Sequence, residues 1–350
     1  MHVIPEWLEL ICLAFCIGVI ACRLWFFPPA IQDKYSYQEN FVSRMWTLFC
    51  YGLAVLIAGS VAELLSRTAE MSGQPFPAFF QALPTVLFRT HYGKVWLIRI
   101  AALLLLALSK TAVKYRDKPA FLLLMLLLGL IVSMTASASG HASDAGDFSL
   151  PEIMDWFHLL GASLWGGGLM VLSIFILPDL TGGKNPPPAL IAVVASRFSA
   201  IAGFAVAIVA ATALYNAWIY VGGINALLKA PYGRVVLTKI ILFFILINLG
   251  AFNRYVSVPL LQEQAGVSLE RRGIFTRIAL RFFPRLQPVE SGNQILIRFM
   301  RSVRVEALLI VGVLLCAALL RHEIPARHLS HLGHIGGADQ PMQHHNPSDM

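Results

Sequence analysis

Two histidines and three aspartates stand close together in a mainly apolar stretch of the chain, "SGHASDAGDFSLPEIMDWFHLLGASLWGGG". His141, Asp144 and Asp147 belong to a short loop, and His158 follows about two turns into the next hydrophobic helix. Met154 lies one helical turn before His158 on the same face, and Asp155 precedes His158 by three residues. Imidazole combined with thioether suits copper better than magnesium or calcium. Spacing alone does not separate a copper site from a proton relay.

Structural roles are equally open to these residues and to the motif "LWGGGLM" that follows them. His158 could be a hydrogen-bonded interhelical residue, and His141 a loop histidine that binds nothing. The glycines after Trp165, which include Gly167 and Gly168, favour close approach of a neighbouring backbone. They also permit a hinge or a narrow pore, because glycine weakens local helicity.

The elements that carry these residues are membrane helices. Of the 350 residues, 57% are hydrophobic and only 13% are charged, and the apolar residues form long runs. About 20 apolar residues suffice to cross the hydrocarbon core as a helix. The sequence therefore predicts an all-α integral membrane protein with eight spans, near 6–27, 41–65, 94–113, 119–138, 151–177, 195–219, 233–252 and 304–320. The first run lacks a preceding Lys or Arg, so we interpret it as an uncleaved span rather than a signal peptide.

The distribution of Lys and Arg predicts the orientation. The loop after the third span is basic, whereas the loop "SASGHASDAGDFSL" after the fourth span carries only aspartates. Basic loops remain on the cytoplasmic side, so the acidic loop and both termini are expected outside. The segment 253–303 is strongly basic and is expected in the cytoplasm. This segment accounts for most of the net charge of +8, so a nucleic-acid partner is not needed to explain that charge. The segment is either an amphipathic helix that lies on anionic lipid or a plain loop.

Arg99 and Lys239 are cationic residues that lie well inside predicted spans. An ionisable side chain in lipid is costly unless it faces a partner, the bundle interior or water. We expect ion pairs with Glu63, Glu9 or Asp155, all of which the predicted topology places in the outer third of the membrane. These cations would also set the electrostatic field at any metal site.

The chain also repeats itself. "THYGKVWLIRI" at the third span resembles "APYGRVVLTKI" at the seventh, 140 positions later. Weaker matches relate "SRMWTLFCYGLAV" to "SRFSAIAGFAVAI", and "EWLEL" to "DWFHL". Four spans are an even number, so the repeats are parallel. We predict a first four-helix half at 1–140, a second at 141–320 and a tail at 321–350.

The tail holds six of the ten histidines and is rich in Gly, Pro and Asp. Neutral imidazoles at this density can collect copper, zinc or nickel, although an incidental tail fits the composition equally well. Its histidines are His322, His328, His331, His334, His344 and His345.

The combination of "SGHA", the acidic loop, "DWFHLLGASLWGGGL" and "PYGRVVLTKIILFFILINLGAFNR" resembles the copper-resistance D family, CopD/PcoD, of bacterial inner-membrane proteins. The resemblance implies that copper moves across the inner membrane, often beside a small periplasmic copper-binding protein similar to CopC. It further implies a copper site at His141 and His158. From their spacing to His158, we expect Met154 and Asp155 as auxiliary ligands. Recurring structural positions of the family correspond to Trp165, Gly167, Gly168, Asn253 and Arg254.

Three functions remain open, and they differ in mechanism: copper transport, copper handover and haem binding. The chain shows no ATP-binding or phosphorylated-aspartate motif, so a copper gradient, the membrane potential or a partner would drive transport, and a potential negative inside favours entry. No enzymatic activity is predicted. A membrane factor that hands copper to another protein would use the same residues without transport. A b-type haem carrier needs paired buried imidazoles, and only His158 lies well inside a predicted span.

Overall fold

Long apolar helices dominate the structure, a computed structural model that describes residues 3–35, 41–75, 77–140, 146–182, 188–221, 223–266 and 292–323. Within these residues eight helices are long and apolar enough to cross a membrane, which confirms the all-α membrane fold with eight spans. We number them span one to span eight. Their bounds are Val3–Phe26, Val42–Ser72, His91–Leu108, Pro119–Ser137, Leu150–Thr181, Pro188–Tyr220, Pro231–Gln264 and Gln294–His322.

Several helices are longer than the apolar runs that predict them. Span seven continues to Gln264, and the helix of span eight begins at Gly292, so both ends of the basic segment 253–303 are helical rather than loop. Helical hydrogen bonding can continue among headgroups and water, whereas hydropathy falls at the first arginines. The span boundaries predicted at 252 and 304 therefore fall inside these helices. The middle of that segment, 267–291, lies outside the described residues.

Short helices connect the spans. Ala78–Ala82 and Leu83–Arg89 precede span three, and Ile224–Lys229 precedes span seven, while Pro29–Lys34 follows span one. A Cβ atom on Gly93 would overlap backbone atoms of residues 86 and 87, and one on Gly233 would overlap those of residues 226 and 227. The two contacts match at an offset of 140 residues, which supports the predicted relation between the halves.

Three spans contain a π-helical turn, at Cys22–Phe26, Leu172–Ile176 and Asn253–Ser257. A proline follows each turn by two residues, at 28, 178 and 259. Proline supplies no N–H and its ring clashes with the carbonyl four residues earlier, so a wider turn relieves the helix just before it. The i→i+5 bond from Phe27 N to Cys22 O, at 2.8 Å, shows this accommodation in span one.

Spans one and five cross at the centre of the bundle, where their backbones touch. Gly18 and Gly167 face each other, and a Cβ atom on either would overlap the backbone of the other span. In the alignment of "EWLEL" with "DWFHL" these glycines are equivalent, so the two halves meet at corresponding residues. This contact positions the remaining spans: span one packs on spans two and eight, and span five on spans six and four.

The halves differ in how their second and third spans pack. Spans two and three pack along their length, and Trp96 Nε1 donates to Ser60 O at 2.7 Å. In the second half, span six meets span seven near Tyr232 at one end and through Val258–Gln264 at the other. Between these contacts the described parts of the two helices separate and leave a gap.

Candidate functional site

Ionisable side chains from both halves gather at one end of the bundle, which we call the polar end. Glu6 of span one lies 3.4 Å from Nε2 of His322 at the end of span eight. Ser137 at the end of span four donates to Asp155 Oδ2 at 2.7 Å. The starts of spans one and five therefore lie at the same end, as parallel repeats require. The polar end comprises Glu6, Glu9, Glu63, Arg99, Asp155, His158, Lys239, Arg321 and His322.

In the first half, the polar end is a closed hydrogen-bonded network around Arg99. The guanidinium is 6% exposed and its Nη1 lies 2.6 Å from Glu63 Oε2, which is the predicted ion pair. Nη2 donates to Thr135 O at 2.8 Å and to Ser139 Oγ at 2.7 Å. Both terminal nitrogens of the guanidinium thus have an acceptor, on span two or at the end of span four.

In the second half, His158 is held by span six. Its Nδ1 lies 3.0 Å from Thr212 Oγ1, and that hydroxyl donates to Ile208 O at 2.7 Å. With the hydroxyl hydrogen directed to that carbonyl, Oγ1 is the acceptor for the tautomer of His158 whose Nδ1 carries the proton. Its Nε2 then carries a lone pair, which is the form of histidine that binds a metal ion or accepts a proton.

Lys239 introduces positive charge near this histidine. It interacts electrostatically with His158 and with Asp155, but it forms no ion pair with either residue. The predicted ion pair of Lys239 is therefore absent from the part of the chain that the structure describes. Asp155 is bonded to span four and His158 to span six, so these two side chains have different neighbours. A cation bound at His158 would be repelled by Lys239 and attracted by Asp155.

Equivalent positions of the two halves carry different chemistry. Glu9 corresponds to His158, and the Glu9 carboxylate packs on Gly59, which corresponds to Thr212. The partner of Arg99, Glu63, corresponds to Asn216 in span six. Asn216 Oδ1 is buried, and no described group donates to it. Arg99 of the first half is therefore paired with an acid, whereas the second half combines a histidine with a lysine that forms no ion pair among the described residues.

The predicted metal ligands are only partly within the described residues. His141 belongs to the loop 141–145, and all tail histidines except His322 belong to 324–350; both segments lie outside the described part. Met154 is half-buried on span five. No three His, Cys, Asp or Glu side chains of the described residues form a group that could hold a metal ion. The described residues therefore do not by themselves complete a metal site at His158.

The glycines after Trp165 serve helix packing. A Cβ atom at Gly166 would meet Ile310 of span eight, and one at Gly168 would meet the ring of Phe198 of span six. Gly167 meets span one. Three consecutive glycines thus admit three different neighbouring spans, which accounts for the motif by packing rather than by a hinge.

Sequence reasoning missed two polar residues. Thr212 escaped notice because a lone threonine in an apolar run is unremarkable in composition. Glu306 could have been found, because it is the single acidic residue within the apolar run "VEALLIVGVLL" of span eight. An acid in such a run is a functional candidate by default. Glu306 is 3% exposed and accepts a hydrogen bond from Asn253 Nδ2.

The eight spans and the ionisable groups gathered at one end define a polytopic α-helical membrane protein. Two sequence profiles match the chain: copper resistance protein D-like, N-terminal domain, over 2–149, and copper resistance protein D over 192–320. The chain belongs to the copper resistance protein D family. Both recurring family positions Asn253 and Arg254 lie within the second match.

Individual relatives agree with this membership. Copper transport protein CutJ of Bacillus subtilis (strain 168) is 27% identical over 241 residues, 66% of this chain and 42% of CutJ. Copper resistance protein D of Pseudomonas syringae pv. tomato is 27% identical over 226 residues, 63% of this chain and 70% of that protein. Inner membrane protein YebZ of Escherichia coli (strain K12) is 28% identical over 187 residues, 53% and 61% respectively. The chain thus spans less than half of CutJ. No solved structure matches it.

Proposed function

We propose that this protein moves copper across the bacterial inner membrane into the cytoplasm, and that copper enters through His158 at the polar end. The observation that carries the proposal is the hydrogen bond from His158 Nδ1 to Thr212, because it leaves Nε2 available to a metal ion. Membership of the copper resistance protein D family and similarity to a protein named for copper transport supply the choice of metal.

His141 is the second proposed ligand, with Met154 and Asp155 as auxiliaries. His141 follows span four at the polar end, and its loop leads directly into span five, which carries the other three residues. Imidazole and thioether are ligands that copper accepts. The tail histidines are an optional copper collector, and a CopC-like periplasmic protein is the proposed source of the ion.

The proposed direction follows from charge. Residues 110–118 between spans three and four are basic, at the end of the bundle opposite the polar end. Basic loops stay in the cytoplasm, so the polar end and both termini face outward. A membrane potential that is negative inside then drives a cation inward without ATP.

The test is copper accumulation by cells that express the protein, compared with the His158→Ala variant at equal membrane abundance. We expect extra cytoplasmic copper with the unchanged protein and at least about a tenfold smaller excess with the variant, since a lost ligand or its support lowers metal affinity by roughly this factor or more. His91→Ala is the matched control, because His91 lies at the same end and pairs with Asp147 at 3.4 Å.

Three other results would reject the importer. Equal cytoplasmic copper in cells with the unchanged protein, with either variant and without the protein would contradict transport. Copper bound by purified protein through His158, with no change in cytoplasmic copper, would instead assign the protein to copper handover. A Soret band in the purified protein would assign it to haem binding.

Thr212→Val should weaken copper binding while leaving the fold intact. Valine matches threonine in shape but cannot accept the hydrogen bond from Nδ1, so the imidazole loses its fixed tautomer and orientation. Loss of such a supporting contact lowers metal affinity about 10-fold to 100-fold. Titration of purified protein with copper measures the effect. Thr238→Val, at an exposed threonine of span seven, should bind copper like the unchanged protein.

A further inference from the structure

The gap between spans six and seven opens a cavity in the second half of the bundle, with a volume of about 350 Å³. Spans five, six, seven and eight all contribute to its walls. Most of the lining is apolar, including Trp165, Phe198 and Leu246. Two residues of the charged types also line it, Arg254 and Glu306.

Glu306 presents one carboxylate oxygen to this cavity. Asn253 Nδ2 donates to Oε1, and Ser302 Oγ donates to the same atom at 3.4 Å. Oε2 instead faces Gly250 of span seven, where a Cβ atom would come within 3.6 Å of it. Both hydrogen bonds therefore hold one oxygen and leave the other for a ligand.

No cation neutralises this carboxylate among the described residues. Arg254 is the charged residue that shares the cavity, but its guanidinium donates to Ser199 O and packs on Gly203 of span six. The arginines of span eight nearest to Glu306, Arg301 and Arg304, are exposed. Within a membrane, a buried carboxylate with no cation is costly and requires either a proton or a bound cation.

The cavity lies farther along span five than His158, from Trp165 onward. Trp165 follows His158 by seven residues of span five, so the two side chains share a face about 10 Å apart. Trp165 packs edge-to-face on Phe243, with ring centroids 6.0 Å apart, and Phe243 follows Lys239 by one turn of span seven. Along both spans, this aromatic pair lies between the residues of the polar end and the cavity-lining residues Leu169 and Leu246.

We propose that Glu306 is an inner cation-binding site, at which Oε2 takes the metal cation after it has passed the Trp165–Phe243 pair. This inference rests on the proposed copper transport and names a second residue on its route. Carboxylate, amide and hydroxyl oxygens hold the ion loosely compared with imidazole or thioether if it is copper, which suits a site from which the ion must leave.

The test uses the full-length protein in liposomes that contain a copper-sensitive dye. Glu306→Gln keeps the shape and an acceptor for Asn253 but removes the charge. Gly250→Leu keeps the charge and fills the cavity beside Oε2. Glu263→Gln is the control, because it makes the same change at an exposed carboxylate of span seven. We expect copper entry to fall at least tenfold in the first two variants and not in the control.

A copper count on the purified proteins completes the experiment. We expect Glu306→Gln to bind one copper ion fewer than the unchanged protein, while His158→Ala retains the inner ion. Entry and copper count unaffected by Glu306→Gln and by Gly250→Leu would overturn the inner site and leave the proposed function standing. If the unchanged protein moves no copper, the proposed function fails, and the copper count alone decides the inner site. If Glu306→Gln binds as much copper as the unchanged protein but no longer moves protons in the liposomes, Glu306 binds a proton and the metal site is overturned.

Discussion

Gly167→Ala should destabilise the protein by at least about 3 kcal/mol, the upper part of the range for overpacked cores. A Cβ atom at this position would overlap the backbone of Ala14 and approach Gly18 of span one. Neither obstacle is a flexible side chain, so relief requires the two central spans to move apart. Because other spans pack on both of them, this movement disturbs the whole bundle. Unfolding of purified protein by heat or denaturing detergent measures the loss.

Gly129→Ala provides the matched control for that prediction. A Cβ atom at Gly129 in span four would lie 3.6 Å from Ile17 Cγ1, an ordinary van der Waals distance. Alanine also favours a helix over glycine by about 1 kcal/mol, so this variant should be at least as stable as the unchanged protein. Equal loss of stability in both variants would contradict the backbone contact between spans one and five.

Glu63→Ala should cost about 3 kcal/mol of unfolding free energy, since removal of one partner leaves the buried charge of Arg99 uncompensated. The guanidinium would keep its bonds to Thr135 and Ser139 but lose its anion. Glu70→Ala makes the same change at an exposed position of span two and should have little effect. The measurement is again detergent-induced unfolding.

Removing both partners tests whether the charge, rather than the packing, carries this effect. Glu63→Leu combined with Arg99→Met should recover much of the loss, because apolar residues often replace a buried ion pair at little cost. Lys239→Met should be milder than Arg99→Met, since Lys239 forms no ion pair within the described chain. Similar losses of unfolding free energy in Lys239→Met and Arg99→Met would contradict the conclusion that only Arg99 forms an ion pair within the described chain.

Much of the fold could be predicted from the sequence because bilayer thickness sets the length of apolar runs. The ion pair of Arg99 with Glu63 was also predictable, as few acids lie at the same depth. The helix ends beyond Phe252 and before Arg304 were not, since hydropathy reports hydrocarbon and not hydrogen bonding. Pro178 and Pro259 could have signalled the π turns that precede them.

The candidate site was predictable in residue type but not in arrangement. His158 was singled out from the sequence, whereas its partner Thr212 depends on which span packs beside span five. The contact between Gly18 and Gly167 joins residues that lie far apart in the chain, and only the three-dimensional packing of spans one and five reveals it. The cavity beside Glu306 arises from the separation of two helices, a feature that no local pattern of residues records.

We expect lipid to contribute to the cavity through the gap between spans six and seven. Span seven turns Ile241 and Phe244 outward, and its middle section lacks support from span six. In a bilayer, we expect acyl chains rather than described side chains to border that part of the cavity. Widening or closing the cavity would then be done against lateral pressure and chain order in the surrounding leaflets. We therefore expect bilayer thickness and fluidity to affect this half of the molecule as a ligand would.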